Sequence, residues 1–469
     1  MQVEAWLARA ARTAPAAIAV ETPHARLTYA ELWGAARRGA AELAERGAGR
    51  GERVAIALPA GVDFAVALHA CLLLGAVAVP VDLRLTQGER ARTIARAAVL
   101  VDEPLSAKAP LAVVKPHFHE LPVSFTHELA DVCAIIHTSG TTSAARPVEL
   151  TYGNFLWSAL GSGVALGVDP GERWLCTLPL AHVGGLSILL RSTIYATTTV
   201  IHERFDAEPV LAALQEQEIT LVSLVATTLA RLLDAGLHEP PSLRHALTGG
   251  GPVPESLIAR ARAAGVPVTP TYGLTEACSQ VSTAAAALSR AGAASPPPAP
   301  AGAAGPPLFC TRVRIDPSGE ILVAGPTVAP ASAAPDGWLH TGDLGAIDAA
   351  GSLSVTGRAA ETIVSGGENI VPSEIEAVLE SHPDVLEAAV LGREDAQWGE
   401  AVSAIVVLRP DPAPSGQGMP AVPSAGVVEA ELRAHCAERL ASFKVPKSVS
   451  LRTSPLPRTR SGKLLRREL

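Results

Sequence analysis

The chain has 469 residues, 48% of them hydrophobic and 18% charged, which is enough apolar material for two or three packed domains and rules out a disordered polymer. Its formal net charge of −8 leaves no basic excess to neutralise phosphate, so nucleic acid is excluded as a general partner. Six scattered cysteines, Cys71, Cys133, Cys176, Cys278, Cys310 and Cys436, form no C-x-x-C pair and read as reduced structural thiols.

The start, Met1 to Ile18, carries Glu4 among apolar residues and lacks the basic opening, apolar run and cleavage site of a signal peptide, which predicts a cytoplasmic protein. Thr28 is placed to cap a helix over Tyr29 to Ala48, with Arg37, Arg38 and Glu45 on its wet face. From Leu27 to about Ala346, helical segments alternate with β-rich runs at Arg53 to Leu58, Val77 to Val81, Cys133 to His137, Leu221 to Ala226 and Pro267 to Tyr272. That alternation predicts an α/β fold. The most apolar stretch, Ala65 to Val81, is broken by His69, Gly75 and Pro80 and falls short of the roughly 20 residues of a membrane span. It predicts a buried helix and strand, and no membrane partner.

Ala284 to Pro307 and Arg409 to Gly426 are rich in Pro, Gly, Ala and Ser and predict surface loops. Strands at Glu387 to Leu391 and Val402 to Leu408, then a helix at Val428 to Leu440, predict a separate α+β unit. The expected division is 1–357 and 358–469, with no solenoid repeat.

The run Ile135-Ile136-His137-Thr138-Ser139-Gly140-Thr141-Thr142-Ser143 places a hydrophobic strand before hydroxyls around one glycine. Such a segment suits an oxyanion, because Gly140 lets the backbone turn closely while hydroxyl and N–H groups donate. It is not a Walker A loop, and alone it reads more readily as a Ser/Thr-rich turn that ends a strand. Four further segments follow in order: Tyr272-Gly273-Leu274-Thr275-Glu276, Trp338-Leu339-His340-Thr341-Gly342-Asp343, Gly357-Arg358 with Ser365-Gly366-Gly367-Glu368-Asn369, and Arg458-Thr459-Arg460-Ser461-Gly462-Lys463.

Together these five motifs resemble the adenylate-forming superfamily of acyl-CoA synthetases, luciferases and peptide-synthetase adenylation domains, over nearly the whole chain. The resemblance implies a large multi-layer α/β domain and a small mobile C-terminal domain with a hinge near 358–361. It implies ATP, Mg²⁺ and CoA, an acyl-adenylate, and then displacement of AMP by a thiol. Thr138, Ser139, Gly140, Thr141 and Thr142 would hold the β- and γ-phosphates. Tyr272 would stack on adenine beside Gly249, Gly250 and Gly251, Thr275 would touch the α-phosphate, and Glu276 would help hold Mg²⁺.

By the same resemblance Asp343 would accept hydrogen bonds from both ribose hydroxyls, and Arg358 would reach ribose or phosphate. Lys463 would bridge the carboxylate and the α-phosphate as a compact charge; it is one of only five lysines against 33 arginines. Ser365, Gly366 and Gly367 would line the pantetheine tunnel after the small domain rotates. Two departures stand out. Ala359-Ala360-Glu361 lacks the usual pivot Asp, and Ser143-Ala144-Ala145-Arg146-Pro147 replaces the usual Gly-Lys-Pro-Lys-Gly, leaving Arg146 to substitute as a phosphate partner. Weaker ATP affinity is the expected result.

Thr151 to Phe155, Leu178 to Ser192, Leu221 to Leu233 and Gly366 to Glu376 look specifically like the 2-succinylbenzoate:CoA ligase subgroup of menaquinone biosynthesis. That substrate carries a second carboxylate, whose burial without a partner is costly. Arg191 is the candidate counter-charge, directly or through water, Ser223 a candidate donor, and His182 would sit where acyl pocket and thiol tunnel meet. Other readings are a helix-surface Arg191, or one that snorkels from a buried helix, and a core His182. Alternatives for the whole chain are another aryl- or fatty-acid CoA ligase, a nucleotide-binding pseudoenzyme and a carrier-protein adenylation domain, the last disfavoured because no carrier domain follows Leu469. The oligomeric state stays open, a homo-oligomer included.

Overall fold

The computed structural model describes residues 1–105, 123–138, 146–284, 302–365, 368–395, 398–409, 429–458 and 464–469, with backbone alone at 369 and 399. Two largely parallel sheets dominate the N-terminal region. The larger runs in the spatial order Ser279–Thr283, Val268–Leu274, His245–Thr248, Leu221–Leu224, Arg173–Cys176, Thr198–Ile201, Ile18–Glu21, Arg26–Thr28. The smaller follows the order Val99–Val101, Arg53–Ile56, Val77–Pro80, Val132–Thr138, Arg146–Thr151, closing with an antiparallel hairpin.

Between these sheets lies the main core. Helices Tyr29–Glu45, Val62–Leu74, Tyr152–Leu166 and Val183–Tyr195 contribute Leu32, Leu68, Phe155 and Leu190, all buried. Strand alternation divides the larger sheet between two cores: Trp174 and Cys176 enter this cluster, whereas Leu175 enters a second one with Val222 and Leu229. Both faces are therefore covered, as parallel sheets require.

Local rules account for the helices. Thr28 and Glu31 form a reciprocal capping box at Tyr29–Glu45. Val62–Leu74 is buried nearly all round, which is why the apolar stretch shows no amphipathic period. It stops at Gly75, whose φ of 68° is left-handed. No described helix is long and apolar enough to cross a membrane.

An antiparallel sheet follows, ordered Ala303–Gly305, Leu353–Arg358, Leu339–Ile347, Glu320–Ala324, Arg312–Ile315. Two expectations are corrected here. The small residues Ala303 to Gly305 pair as an edge strand inside what the sequence presents as loop, and Arg358 ends this sheet rather than opening the C-terminal unit, because it pairs with Asp343. The rest of the Pro-rich stretch, 285–301, and 410–428 lie outside the described residues.

The final sheet begins at Ile363–Ser365 and centres on the hairpin Val385–Asp395 with Gly399–Leu408. Helices Pro372–Glu380 and Glu429–Ala437 cover it through Ile375, Leu379, Leu432 and Cys436. Arg466 binds the tail to this unit: it pairs with Glu376 and, at 3.0 Å, with Glu361 of the short turn Ala359–Glu361.

Candidate active site

The candidate residues gather where strands of the larger sheet end. In open α/β sheets the carboxyl edge is where ligands are bound. Thr248 ends one strand, and Gly249 follows so close to its neighbour that a Cβ would lie 2.5 Å from the Thr271 carbonyl oxygen. Gly250 continues with a φ of 79°. Only glycine fits this backbone path.

The adjacent strand Val268–Leu274 carries Tyr272 and leads into the turn Thr275–Ala277, which presents Thr275 and Glu276 half-buried. Tyr272 donates its hydroxyl to Asp343 Oδ2 at 2.7 Å, while Arg358 Nε meets Asp343 Oδ1 at 2.9 Å. Asp343 is buried and Arg358 exposed. Burial, followed by the charge of Asp343, raises the Tyr272 phenol well above its ordinary value, so it remains a donor. The sequence thus identified three residues, separated by up to 86 positions, that meet around one carboxylate.

Glu276 offers a single carboxylate in the turn that follows Tyr272, and no described group of three His, Cys, Asp or Glu residues could form a metal cage. That fits Mg²⁺, which is commonly held by one or two carboxylates together with substrate phosphates.

Thr138 and Arg146 pair across the hairpin that bounds the phosphate segment, with Thr138 Oγ1 donating to the Arg146 carbonyl at 3.3 Å, and Arg146 is exposed. Ser139, Gly140, Thr141, Thr142, Gly366, Gly367 and Lys463 lie outside the described residues. Ser365 is buried at the end of its strand.

Arg191 does not reach solvent. It is 3% exposed, the one arginine that is fully buried among the described residues, and no carboxylate among those residues pairs with it. Its Nη2 donates to Ser158 Oγ at 2.8 Å, its guanidinium lies 5.7 Å from the Trp174 ring centroid, and Nε has no partner. Burial lowers its pKa from the ordinary value. The surface and snorkelling alternatives are therefore corrected: every residue of the helix from Gly185 to Ile194 is buried, Arg191 included. Ser223 lies across Trp174, accepting the indole N–H at 3.1 Å.

Ser158 also donates to the Cys278 carbonyl at 2.6 Å. Cys278 and Ser279 both have positive φ, 52° and 86°, immediately after the Thr275–Ala277 turn. Two successive non-glycine residues in that region are strained and need outside support. Arg191 and Ser158 supply it.

His182 immediately precedes the helix Val183–Tyr195, its side chain bonding none of the helix N–H groups, and meets Asp82 and Arg84, which follow the strand Val77–Pro80. Sequence reasoning missed Ser158, Trp174, Asp82, Arg84 and Arg466. For Asp82 and Arg84 a signal existed, since two charges directly follow a fully buried strand. A cavity of about 250 Å³ lies elsewhere, lined by Arg50, Arg53, Asp131 and Glu149, where each arginine already pairs with a carboxylate.

The AMP-binding enzyme family matches residues 7–331, and the AMP-binding enzyme C-terminal domain matches 374–463. The 2-succinylbenzoate–CoA ligase of Bacillus subtilis is 36% identical over 99% of this chain and 97% of its own length. Solved structures of the o-succinylbenzoate CoA synthetase from Bacillus subtilis superpose with TM-scores of 0.84 for the complex with the acyl-adenylate intermediate and 0.85 for the complex with ATP and magnesium. Both are 35% identical; the first alignment covers 100% of this chain and 98% of that one, and the second all of both. By the extent of these matches, the chain belongs to the AMP-binding enzyme family.

Proposed function

We propose that this protein is an ATP-dependent acid–thiol ligase that converts 2-succinylbenzoate and CoA to 2-succinylbenzoyl-CoA, AMP and pyrophosphate. The observation that carries this reading is the 36% identity to a 2-succinylbenzoate–CoA ligase along 99% of the chain. Two domains share the work, the first running through Arg358 and the second from Ala359, with the hinge at 358–361. A cytoplasmic site is where ATP and CoA are supplied.

The succinyl carboxylate attacks the α-phosphorus, the bond to pyrophosphate breaks, and an acyl-adenylate forms. The sulfur of CoA then attacks the acyl carbon, the bond to AMP breaks, and the thiol proton is released. Two anions must approach in the first step, so fixed cations and donors do most of the work. Tyr272, Gly249, Gly250 and Gly251 bind the adenine end. Asp343, oriented by Tyr272 and Arg358, receives the ribose. Thr138, Ser139, Gly140, Thr141, Thr142 and Arg146 hold the outer phosphates, and Thr275 the α-phosphate. Mg²⁺, held by Glu276, offsets phosphate charge when bound. Lys463 joins the two anions, and Ser365, Gly366 and Gly367 later line the thiol's path.

Arg191 supports the choice of acid, because a buried guanidinium without an acidic partner is costly and a substrate carboxylate lowers that cost. Ser223 and His182 complete the acyl site. The test is CoA thioester formation from succinylbenzoate, benzoate and a medium-chain fatty acid, with and without Lys463→Ala. Succinylbenzoate should be preferred and Lys463→Ala should abolish turnover; a fatty-acid preference would overturn the substrate assignment, and absence of carboxylate-dependent pyrophosphate exchange would overturn the reaction.

A further inference from the structure

His182 meets two charged residues that no motif identified. Its Nε2 lies 2.8 Å from Arg84 Nη2 and 3.6 Å from Asp82 Oδ2. Arg84 is itself fixed, with Nε donating to Asp82 Oδ1 at 2.8 Å and Nη2 to Oδ2 at 2.7 Å, and its backbone N–H donating to Oδ1 at 3.0 Å. Burial pushes the Asp82 carboxyl upward, but these bonds prevail and its pKa falls below the ordinary value. The pair is a rigid, charged clasp.

A guanidinium carries five donors, has no acceptor and keeps its proton in proteins. A 2.8 Å contact from Arg84 Nη2 is therefore a hydrogen bond only if Nε2 of His182 offers a lone pair. A proton on Nε2 would set two donors against each other at that distance, and Asp82 at 3.6 Å lies beyond hydrogen-bond reach.

We propose that Arg84, held by Asp82, is a positioning residue that fixes His182 as the neutral imidazole with its proton on Nδ1. The consequence for the reaction rests on the acyl–thiol placement of His182 given above. With Nε2 engaged by Arg84, that nitrogen is not a base for the CoA thiol. The ring works as a hydrogen-bond donor through Nδ1, and its protonation state is the same before and after thioester formation.

The experiment is nitrogen NMR on the full-length protein labelled with ¹⁵N-histidine, with the His182 signals assigned by their loss in His182→Gln. Wild type should show a protonated Nδ1 and an unprotonated Nε2. In Arg84→Met the proton should move to Nε2, facing an Asp82 released from its partner, whereas Arg84→Lys, still a donor, should keep the wild-type pattern. In single turnovers from preformed acyl-adenylate, Arg84→Met should slow thioester formation about tenfold or more, a larger loss than in pyrophosphate exchange.

A wild-type proton on Nε2, or an Arg84→Met spectrum unchanged at His182, overturns the assignment. The wild-type spectrum decides it even if the variant fails to fold. Absent pyrophosphate exchange would sink the ligase reading instead and leave the spectrum to be read by itself.

Discussion

Arg466 binds Glu361 across 105 positions of sequence, joining the tail that carries Lys463 to the turn that begins the C-terminal unit. The same guanidinium pairs with Glu376 and donates to the Val390 carbonyl at 2.9 Å, and although burial opposes its charge, the two carboxylates raise its pKa above the ordinary value. Arg466→Met should therefore slow adenylation more than thioester transfer, by about tenfold for a lost charge-assisted contact. Pyrophosphate exchange and single-turnover thioester formation, measured separately, check this; equal losses would contradict it.

Tyr272→Phe keeps the aromatic plate and removes the donor to Asp343. Apparent affinity for ATP should weaken roughly fivefold to tenfold, as expected for one bond to a charged acceptor. The KM for ATP in pyrophosphate exchange reads the effect, with Tyr272→Ala giving the larger loss.

Arg191→Met retains most of the side-chain volume without the charge. Turnover of succinylbenzoate should fall about a hundredfold, while a neutral aryl acid should lose far less. A substrate-independent loss would remove Arg191 from acid recognition.

Ser158→Ala leaves Arg191 Nη2 and the Cys278 carbonyl without their partner. Two orphaned groups should cost about 2–4 kcal/mol of stability, visible in urea unfolding. Adenylation of charged and neutral acids should decline together, because the strained turn beside Thr275 and Glu276 serves both.

How much of this was legible in the sequence divides along physical lines. Local signals worked where chemistry is local: the Thr28 cap and the break at Gly75 depend on neighbours within a few residues, and the five motifs carried the family resemblance. The Tyr272, Asp343 and Arg358 cluster was legible only through order and resemblance, since nothing in spacing brings residues 71 positions apart together. Ser158 and Arg466 were invisible because a serine in an apolar helix and an arginine near a terminus have many ordinary uses. Ala303 to Gly305 was missed since small residues in a Pro-rich stretch lack strand propensity, and pairing with Leu353–Arg358 overrides that preference.

Glu380 supplies a pH dependence remote from the site. Burial lifts its carboxyl to about 7, only partly opposed by the Ala388 N–H. Between the unfolded value near 4.5 and about 7, the folded chain holds a proton that the unfolded chain has lost, so stability falls as pH rises through this window and levels off above it. Glu380→Gln should flatten that decline in urea midpoints taken from pH 4 to 8; a decline that persists would assign it elsewhere.

Five of the six cysteines are buried, and burial lifts Cys71, Cys176 and Cys278 to about 12 and Cys436 to about 11, with Cys133 and half-buried Cys310 also raised. Thiolate is the reactive form, so this protein's own sulfur is silent near neutrality. A catalyst that handles a mercaptan partner thus keeps its five buried thiols withdrawn from mixed-disulfide capture, and oxidised coenzyme or mild alkylating reagents should react with them slowly, half-buried Cys310 first.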